Sequence, residues 1–302
     1  MFQTWVWISA SNVGFLTKCA VYAGKHTFSG VCGRYASIES HIPVKEGMRI
    51  KVLGCSGGVG PGLRTTSLLV GDETLIDAGT GVGDLTLEQQ ARIRQIFLTH
   101  SHLDHVCGLA FMADNLFDRI DRPVQVWATA ETLSAIKEHI FNWKIWPDFS
   151  VLPNEKNPLL AFSPITPGQT LTSADHYKLT AFKVLHTVPA VGYAVEAERG
   201  TFVFTGDTYA NENLWAFLNS LPRLDKLMIE IAFPNEDDVL AEASKHFTPV
   251  LLGRELHKLR HKPEILLTHH KPGCEQLIEA ECQKELTGWA YRHLKRGDLI
   301  EI

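Results

Sequence analysis

From residue 48 onward the chain reads as an α/β (α+β) domain in which two mixed sheets pack face to face beneath flanking helices. Three observations carry this reading. Short β-rich runs come first, separated by glycine as hairpin strands are. Strand and helix patterns then alternate to the C-terminus. Finally, 45% of the 302 residues are hydrophobic, enough to bury a substantial core.

The strands open with RIKVLG around residues 50–54, then TSLLV (66–70) and TLIDA (74–78). QIFLT (95–99) is a further apolar run that ends on a polar cluster. Residues 106–119 and 130–142 have helical spacing and flank the strand VQVWA (124–128). The proline-punctuated aromatic stretch 143–167 is expected to be a long loop or an insertion. Strand signals return at KLTAFKVL (178–185), VGYAVEA (191–197), TFVFTG (201–206) and EILLT (264–268).

Residues 1–47 do not share this order. Trp5, Trp7 and Phe15 sit in a poorly periodic context, and Ser9, Ser11 and Asn12 interrupt the apolar run. Lys18 follows that run instead of preceding it, which is the wrong arrangement for a signal peptide. Residues 1–47 are therefore expected to be a disordered or spurious extension, and residues 48–302 a cytoplasmic catalytic domain. No stretch approaches the ~18 consecutive apolar residues of a membrane span.

Charge and cysteine usage exclude other classes. A formal net charge of −5 leaves no global basic footprint, so a small-molecule partner is expected, with neither nucleic acid nor membrane. A homodimer is compatible with the composition. Cys19, Cys32, Cys55, Cys107, Cys274 and Cys282 form no CxxC pair, which argues against a disulfide framework or a cysteine zinc module. The glycine-rich CSGGVGPG (55–62) lacks the Lys-Ser/Thr of a phosphate-binding loop and reads as a turn between the first strands.

The densest chemical signal is His100-Ser101-His102-Leu103-Asp104-His105, directly after QIFLT. Four potential ligands within six residues cannot share one direction on a regular strand or helix. A loop turning into a helix can aim them at two adjacent points. Imidazole and carboxylate together suit zinc or a similar divalent ion. Other candidates also stand at strand ends: His186 after KLTAFKVL, Asp207 after TFVFTG, and His269 after EILLT, with His270 as a rival to His269.

THSHLDH, His186, GDT around Asp207 and THHKPG around His269 resemble, in this order, the motifs of metallo-β-lactamase-fold hydrolases. Asp77 in LIDAG is similar to that superfamily's early, non-ligating aspartate. The resemblance implies an αββα sandwich with two divalent ions, zinc foremost and manganese or iron as alternatives. It implies His100, His102 and His186 on one ion, Asp104, His105 and His269 on the other, and Asp207 between them. HSHLDHVCGL, FNWKIWPDFS and KHFTP (245–249) further resemble class II 3′,5′-cyclic-nucleotide phosphodiesterases. The segment after His186, Thr187-Val188-Pro189-Ala190, has no counterpart in that pattern.

That resemblance implies hydrolysis of cAMP or cGMP to a 5′-monophosphate by a hydroxide held between two cations. Asp104 would orient the nucleophile or take its proton, and His246 would contact phosphate or assist the leaving oxygen. Trp146 or Phe149 would stack on the base. The rivals are a tRNA 3′-processing nuclease, for which no basic arm is found, a lactonase or thioesterase, and an inactive scaffold, which would be expected to have lost ligands.

Overall fold

The computed structural model describes residues 47–302, so the expectation for residues 1–47 falls, Gly47 aside, outside the described residues. The first half of the domain contains β1 (Arg49–Gly54), β2 (Ser67–Val70), β3 (Thr74–Ile76), β4 (Gln95–Phe97), β5 (Val124–Ala128) and β6 (Leu160–Pro164). Its helices are α1 (Leu87–Arg92), α2 (Leu103–Leu116) and α3 (Ala130–His139). The second half contains β7 (Thr170–Thr172), β8 (Lys178–Lys183), β9 (Val191–Glu196), β10 (Thr201–Phe204), β11 (Lys226–Glu230), β12 (Glu264–Thr268) and β13 (Tyr291–His293). Its helices are α4 (Glu212–Ser220), α5 (Asp238–Ser244), α6 (Pro249–Leu256) and α7 (Glu275–Glu285). A last strand, β14 (Leu299–Glu301), returns to pair with β1.

Two seven-stranded sheets result, ordered β14-β1-β2-β3-β4-β5-β6 and β13-β12-β11-β10-β9-β8-β7. Each begins as an antiparallel meander and continues in parallel strands: β3 to β6 in the first sheet, β10 to β13 in the second. Parallel neighbours need a crossover, and helices supply most of them.

The two-residue period of the strands builds the layers. Ile50, Val52, Leu68, Val70, Leu179, Ala181, Phe202, Phe204 and Leu266 face inward and form one core between the sheets. Their alternates point outward beneath helices. Leu53, Leu69, Leu75 and Ile96 meet α2 through Val106, Leu109 and Ala113. Val203, Leu227, Ile265 and Leu267 meet Leu214, Leu218, Leu252 and Ile278 of α4, α6 and α7. The expected αββα sandwich of two mixed sheets is thus the observed fold.

Two element expectations are corrected. The long loop read over 143–167 contains β6, an edge strand that runs parallel to β5 in the register Val124↔Leu160 to Ala128↔Pro164. Its terminal proline disguises it, yet an edge strand tolerates a residue without an N–H. The helix read over 106–119 begins earlier, at Leu103, with His102 at its N-cap. Asp104 and His105 therefore stand in its first turn.

Candidate dinuclear metal centre

The site forms where five strands end at one edge of the sandwich. β4 runs into His100, β8 into His186, β10 into Asp207 and β12 into His269, while β11 ends in Glu230. The structure brings His100, His102, His186 and Asp207 into one group and Asp104, His105, Asp207 and His269 into another, with candidate ligand atoms within 4.8 Å of one another in each. Asp207 belongs to both. Its Oδ2 lies 3.3 Å from His105 Nε2, 3.3 Å from His269 Nε2 and 3.7 Å from His100 Nε2.

Supporting groups fix which nitrogen each imidazole presents. Asp77 accepts from the Thr99 N–H at 2.7 Å and the Thr99 hydroxyl at 2.8 Å. That hydroxyl has no second proton, so it accepts from His100 Nδ1 at 3.0 Å and leaves His100 Nε2 bare. Asp77 also accepts from His105 Nδ1 at 2.7 Å, which turns His105 Nε2 toward Asp207. His186 Nδ1 donates to the Lys245 carbonyl at 3.2 Å, and its Nε2 faces His102 Nδ1 at 3.1 Å. Such carboxylate and carbonyl partners orient imidazoles for metal binding.

His100 Nε2, His105 Nε2 and both ring nitrogens of His269 are buried with no hydrogen-bond partner. Orphaned polar atoms at this density are costly in a dry interior. A divalent cation removes that cost, and the donor set suits one: neutral imidazoles and carboxylates at two points sharing one aspartate. Burial holds His100 and His269 well below the usual imidazole range and His186 at about 4, so these rings stay in the neutral, ligating form. Burial opposes the ionisation of Asp207, but the imidazoles of His269 and His105 hold its carboxyl well below the usual range. His105 is the exception: against burial, the carboxylates of Asp207 and Asp77 push it well above its ordinary value.

The backbone is strained where it aims these groups. Asp77, Lys245 and His269 have φ of 56°, 60° and 68°, left-handed values that cost non-glycine residues free energy. Gly206, at φ 64°, turns the chain into Asp207, and a Cβ there would approach Thr99 Cβ to 3.0 Å.

A second arrangement borders the cluster. His246 is 6% exposed, and its Nδ1 lies 2.8 Å from Oε1 of the fully buried Glu230. Its ring stacks at 5.3 Å on His269 and lies 5.0 Å from His186. Burial favours neutral His246, but the Glu230 carboxylate wins and raises it above the usual imidazole range. The sequence KHFTP explains the placement. Thr248 caps α6 and Pro249 opens it, so the chain turns there and leaves His246 facing back toward Glu230. Glu230 was missed from sequence. The signal was available, since it ends the apolar run KLMIE as Asp207 and His269 end theirs.

The structure brings His269 and not His270 into the cluster; His270 bonds the Ile231 carbonyl and His293 instead. Asp104 stands at the cluster's edge, its Oδ2 3.8 Å from His269 Nε2. The base-stacking expectation for Phe149 is corrected. Phe149 is 3% exposed and packs among Phe117 and Phe141 in the helix-covered core, with no face left for a ligand. Trp146 is pinned to α2 by its indole N–H on the Ala110 carbonyl at 3.0 Å and by an edge contact with Phe111. Both aromatics secure the 141–150 segment to the helix layer.

A two-sheet sandwich with this His/Asp cluster at the strand ends defines a hydrolase of the metallo-β-lactamase fold. The chain belongs to the beta-lactamase superfamily, whose domain model matches residues 73–270. It is similar to a probable 3′,5′-cyclic-nucleotide phosphodiesterase of Yersinia pestis, 23% identical over 75% of this chain and 79% of that one. It is also similar to a ribonuclease Z of Natronomonas pharaonis, 29% identical over 50% of this chain and 49% of that protein. Among solved structures, unliganded yeast PDE1 shares the fold with a TM-score of 0.70, at 18% identity, over 85% of this chain and 100% of that one.

Proposed function

We propose that the chain is a metal-dependent phosphodiesterase that opens 3′,5′-cyclic nucleotides to 5′-monophosphates. The single observation carrying the hydrolytic centre is Asp207, whose Oδ2 faces three imidazole nitrogens and belongs to both ligand groups. His100, His102 and His186 would hold one divalent ion, Asp104, His105 and His269 the other, with Asp207 common to both. Zinc suits these donors. When bound, the ions supply Lewis acidity and an acidified water at neutral pH.

The chain's own groups do the rest. Asp104, partly exposed at the cluster's edge, receives the proton of the attacking water. As the phosphorus–O3′ bond breaks, His246 donates a proton to the departing oxygen; its Nε2 is available because Glu230 occupies Nδ1. The ring opens and the product keeps its 5′-phosphoester.

The breadth of the resemblance favours a cyclic nucleotide over a tRNA precursor. Similarity to the Yersinia protein spans 75% of the chain, whereas similarity to the ribonuclease Z spans 50%. A net charge of −5 also disfavours gripping a large polyanion. The cytoplasm, where cyclic nucleotides signal, is the proposed location.

The test is hydrolysis of cAMP and cGMP by the metal-loaded protein, with Asp207→Ala and a 3′-extended tRNA precursor as controls. Cyclic-nucleotide turnover that vanishes in Asp207→Ala is the expected result. Trimming of the tRNA with neither cyclic nucleotide cleaved would replace this substrate by the nuclease reading.

A further inference from the structure

The glycine-rich stretch CSGGVGPG (55–62), read from sequence as a turn, leads from β1 toward β2. Its first residues also reach the loop after β12, where His269 stands. The Cys55 carbonyl accepts the His269 N–H at 2.7 Å and the Thr268 hydroxyl at 3.0 Å. The Gly57 N–H donates to the His270 carbonyl at 2.9 Å, and the Ser56 hydroxyl donates to the same oxygen at 3.4 Å. The Gly57 carbonyl in turn accepts from Lys271 Nζ at 2.9 Å. Residues 55–57 thus grip every residue from 268 to 271.

Gly57 is required by contact and not by conformation. Its φ is not left-handed, unlike that of Gly62 at 75° in the same stretch. A Cβ at 57 would lie 2.4 Å from the His269 carbonyl oxygen and 3.1 Å from His269 Cδ2. The nearer atom is backbone, so no rotamer change relieves the clash. Any side chain at 57 would push on His269 itself.

His269 needs this support. Its φ of 68° is sparsely populated for a residue with a Cβ, and such a conformation persists only where the surroundings over-determine it. Turned in this way, its Nε2 stands 3.3 Å from Asp207 and 3.8 Å from Asp104. Lys271 completes the grip from the far side, since its own N–H is anchored on the Ala232 carbonyl at 3.0 Å.

We propose that Gly57 and Lys271 are positioning residues for His269. The bare Cα of Gly57 is the floor on which the His269 peptide is seated, and the Lys271 ammonium ties the two loops together. Their effect falls on the ion assigned to Asp104, His105 and His269. On the other ion, His100 and His186 are held instead by the Thr99 hydroxyl and the Lys245 carbonyl. The inference rests on that ligand assignment and is independent of the substrate.

The test is removal of zinc from the loaded protein by a chromophoric chelator, which reports the affinity for each ion without turnover. Wild type is compared with Gly57→Ala, Lys271→Met, Lys271→Arg and His269→Ala, each first shown by circular dichroism to be folded. Wild type should release two ions, and His269→Ala should weaken one of them. Gly57→Ala and Lys271→Met should weaken that same ion by about 10–100-fold, the usual effect of removing a group that orients a ligand, and leave the other unchanged. Lys271→Arg, which still donates to the Gly57 carbonyl, should restore most of the loss. If Gly57→Ala does not fold, the two Lys271 variants decide alone. Both ions held as in wild type, or both weakened equally, would overturn the proposal. A Lys271→Arg variant no tighter than Lys271→Met would remove the lysine from it. Wild type that releases fewer than two ions, or His269→Ala that weakens neither, would instead overturn the ligand assignment beneath it.

Discussion

Single residues in this protein do their work through the proton or lone pair that a neighbour leaves them. Glu230 is fully buried and raises His246 above the ordinary imidazole range, so the protonated acid persists to higher pH. Glu230→Gln keeps the shape and removes the charge. The His246 pKa then falls, the acid form is lost at lower pH, and the alkaline limb of the kcat profile should move down. The rate should fall by ~10²-fold or more, the usual worth of a positioned acid. A pH–rate profile with metal content measured in parallel checks this; an unmoved alkaline limb would dismiss the dyad. Lys245 offers a different residue-scale test. Its φ of 60° turns its carbonyl toward His186 Nδ1. Lys245→Gly should be nearly neutral, since glycine adopts that conformation freely. Lys245→Val should cost about 1–2 kcal/mol and weaken metal retention, read by denaturant melts and metal analysis of dialysed protein.

At the scale of elements, α2 shows packing overruling propensity. Gly108 sits inside this helix, where Ala would ordinarily add about 1 kcal/mol of stability. A Cβ at 108, however, would lie 2.3 Å from the Gly79 carbonyl oxygen, on the loop that follows Asp77. The Gly108 N–H donates to the Ala78 carbonyl at 2.7 Å, and the Ala78 N–H to the His105 carbonyl at 2.8 Å. Glycine thus lets α2 approach closely enough to seat His105 on Asp77. Gly108→Ala should destabilise by about 1–3 kcal/mol in urea unfolding, because the clash is with backbone and cannot be relieved by a rotamer. A gain in stability would show that propensity, and not contact, governs this helix.

For the whole molecule, the metal cluster couples fold, pH and ligand. His105 lies between Asp77 and Asp207 at 2.7 Å and 3.3 Å and binds a proton above the ordinary imidazole pKa. A cation must displace that proton. Metal binding near neutral pH should therefore release protons, seen as a binding enthalpy that changes with the buffer's ionisation enthalpy, and affinity should fall as pH falls. Buffer-independent enthalpy would show that His105 is already neutral. Metal at about 100 times its Kd should stabilise the fold by about 2.7 kcal/mol and raise the Tm by roughly 5–10 °C, reversed by a chelator.

Much of this was legible in the sequence. Strand identity followed from period-two apolar runs, which arise because successive side chains must face opposite layers; VQVWA and EILLT matched β5 and β12 residue for residue. His100, His186, Asp207 and His269 were legible because each follows such a run, where the strand delivers the chain to the sheet edge. Other features needed the tertiary structure. No spacing distinguishes His269 from His270, because a single left-handed residue decides which imidazole turns inward. Phe149 reads as a base-stacking aromatic until its burial in the helix-covered core is seen. Glu230 lies 16 residues from His246 in sequence, and only the neighbouring strands and the turn into α6 bring the pair to 2.8 Å. Local pattern determined what each segment is, because it reflects local sterics and burial. Which lone pairs face one another was decided by three dimensions, since contacts between distant segments leave no period in the chain.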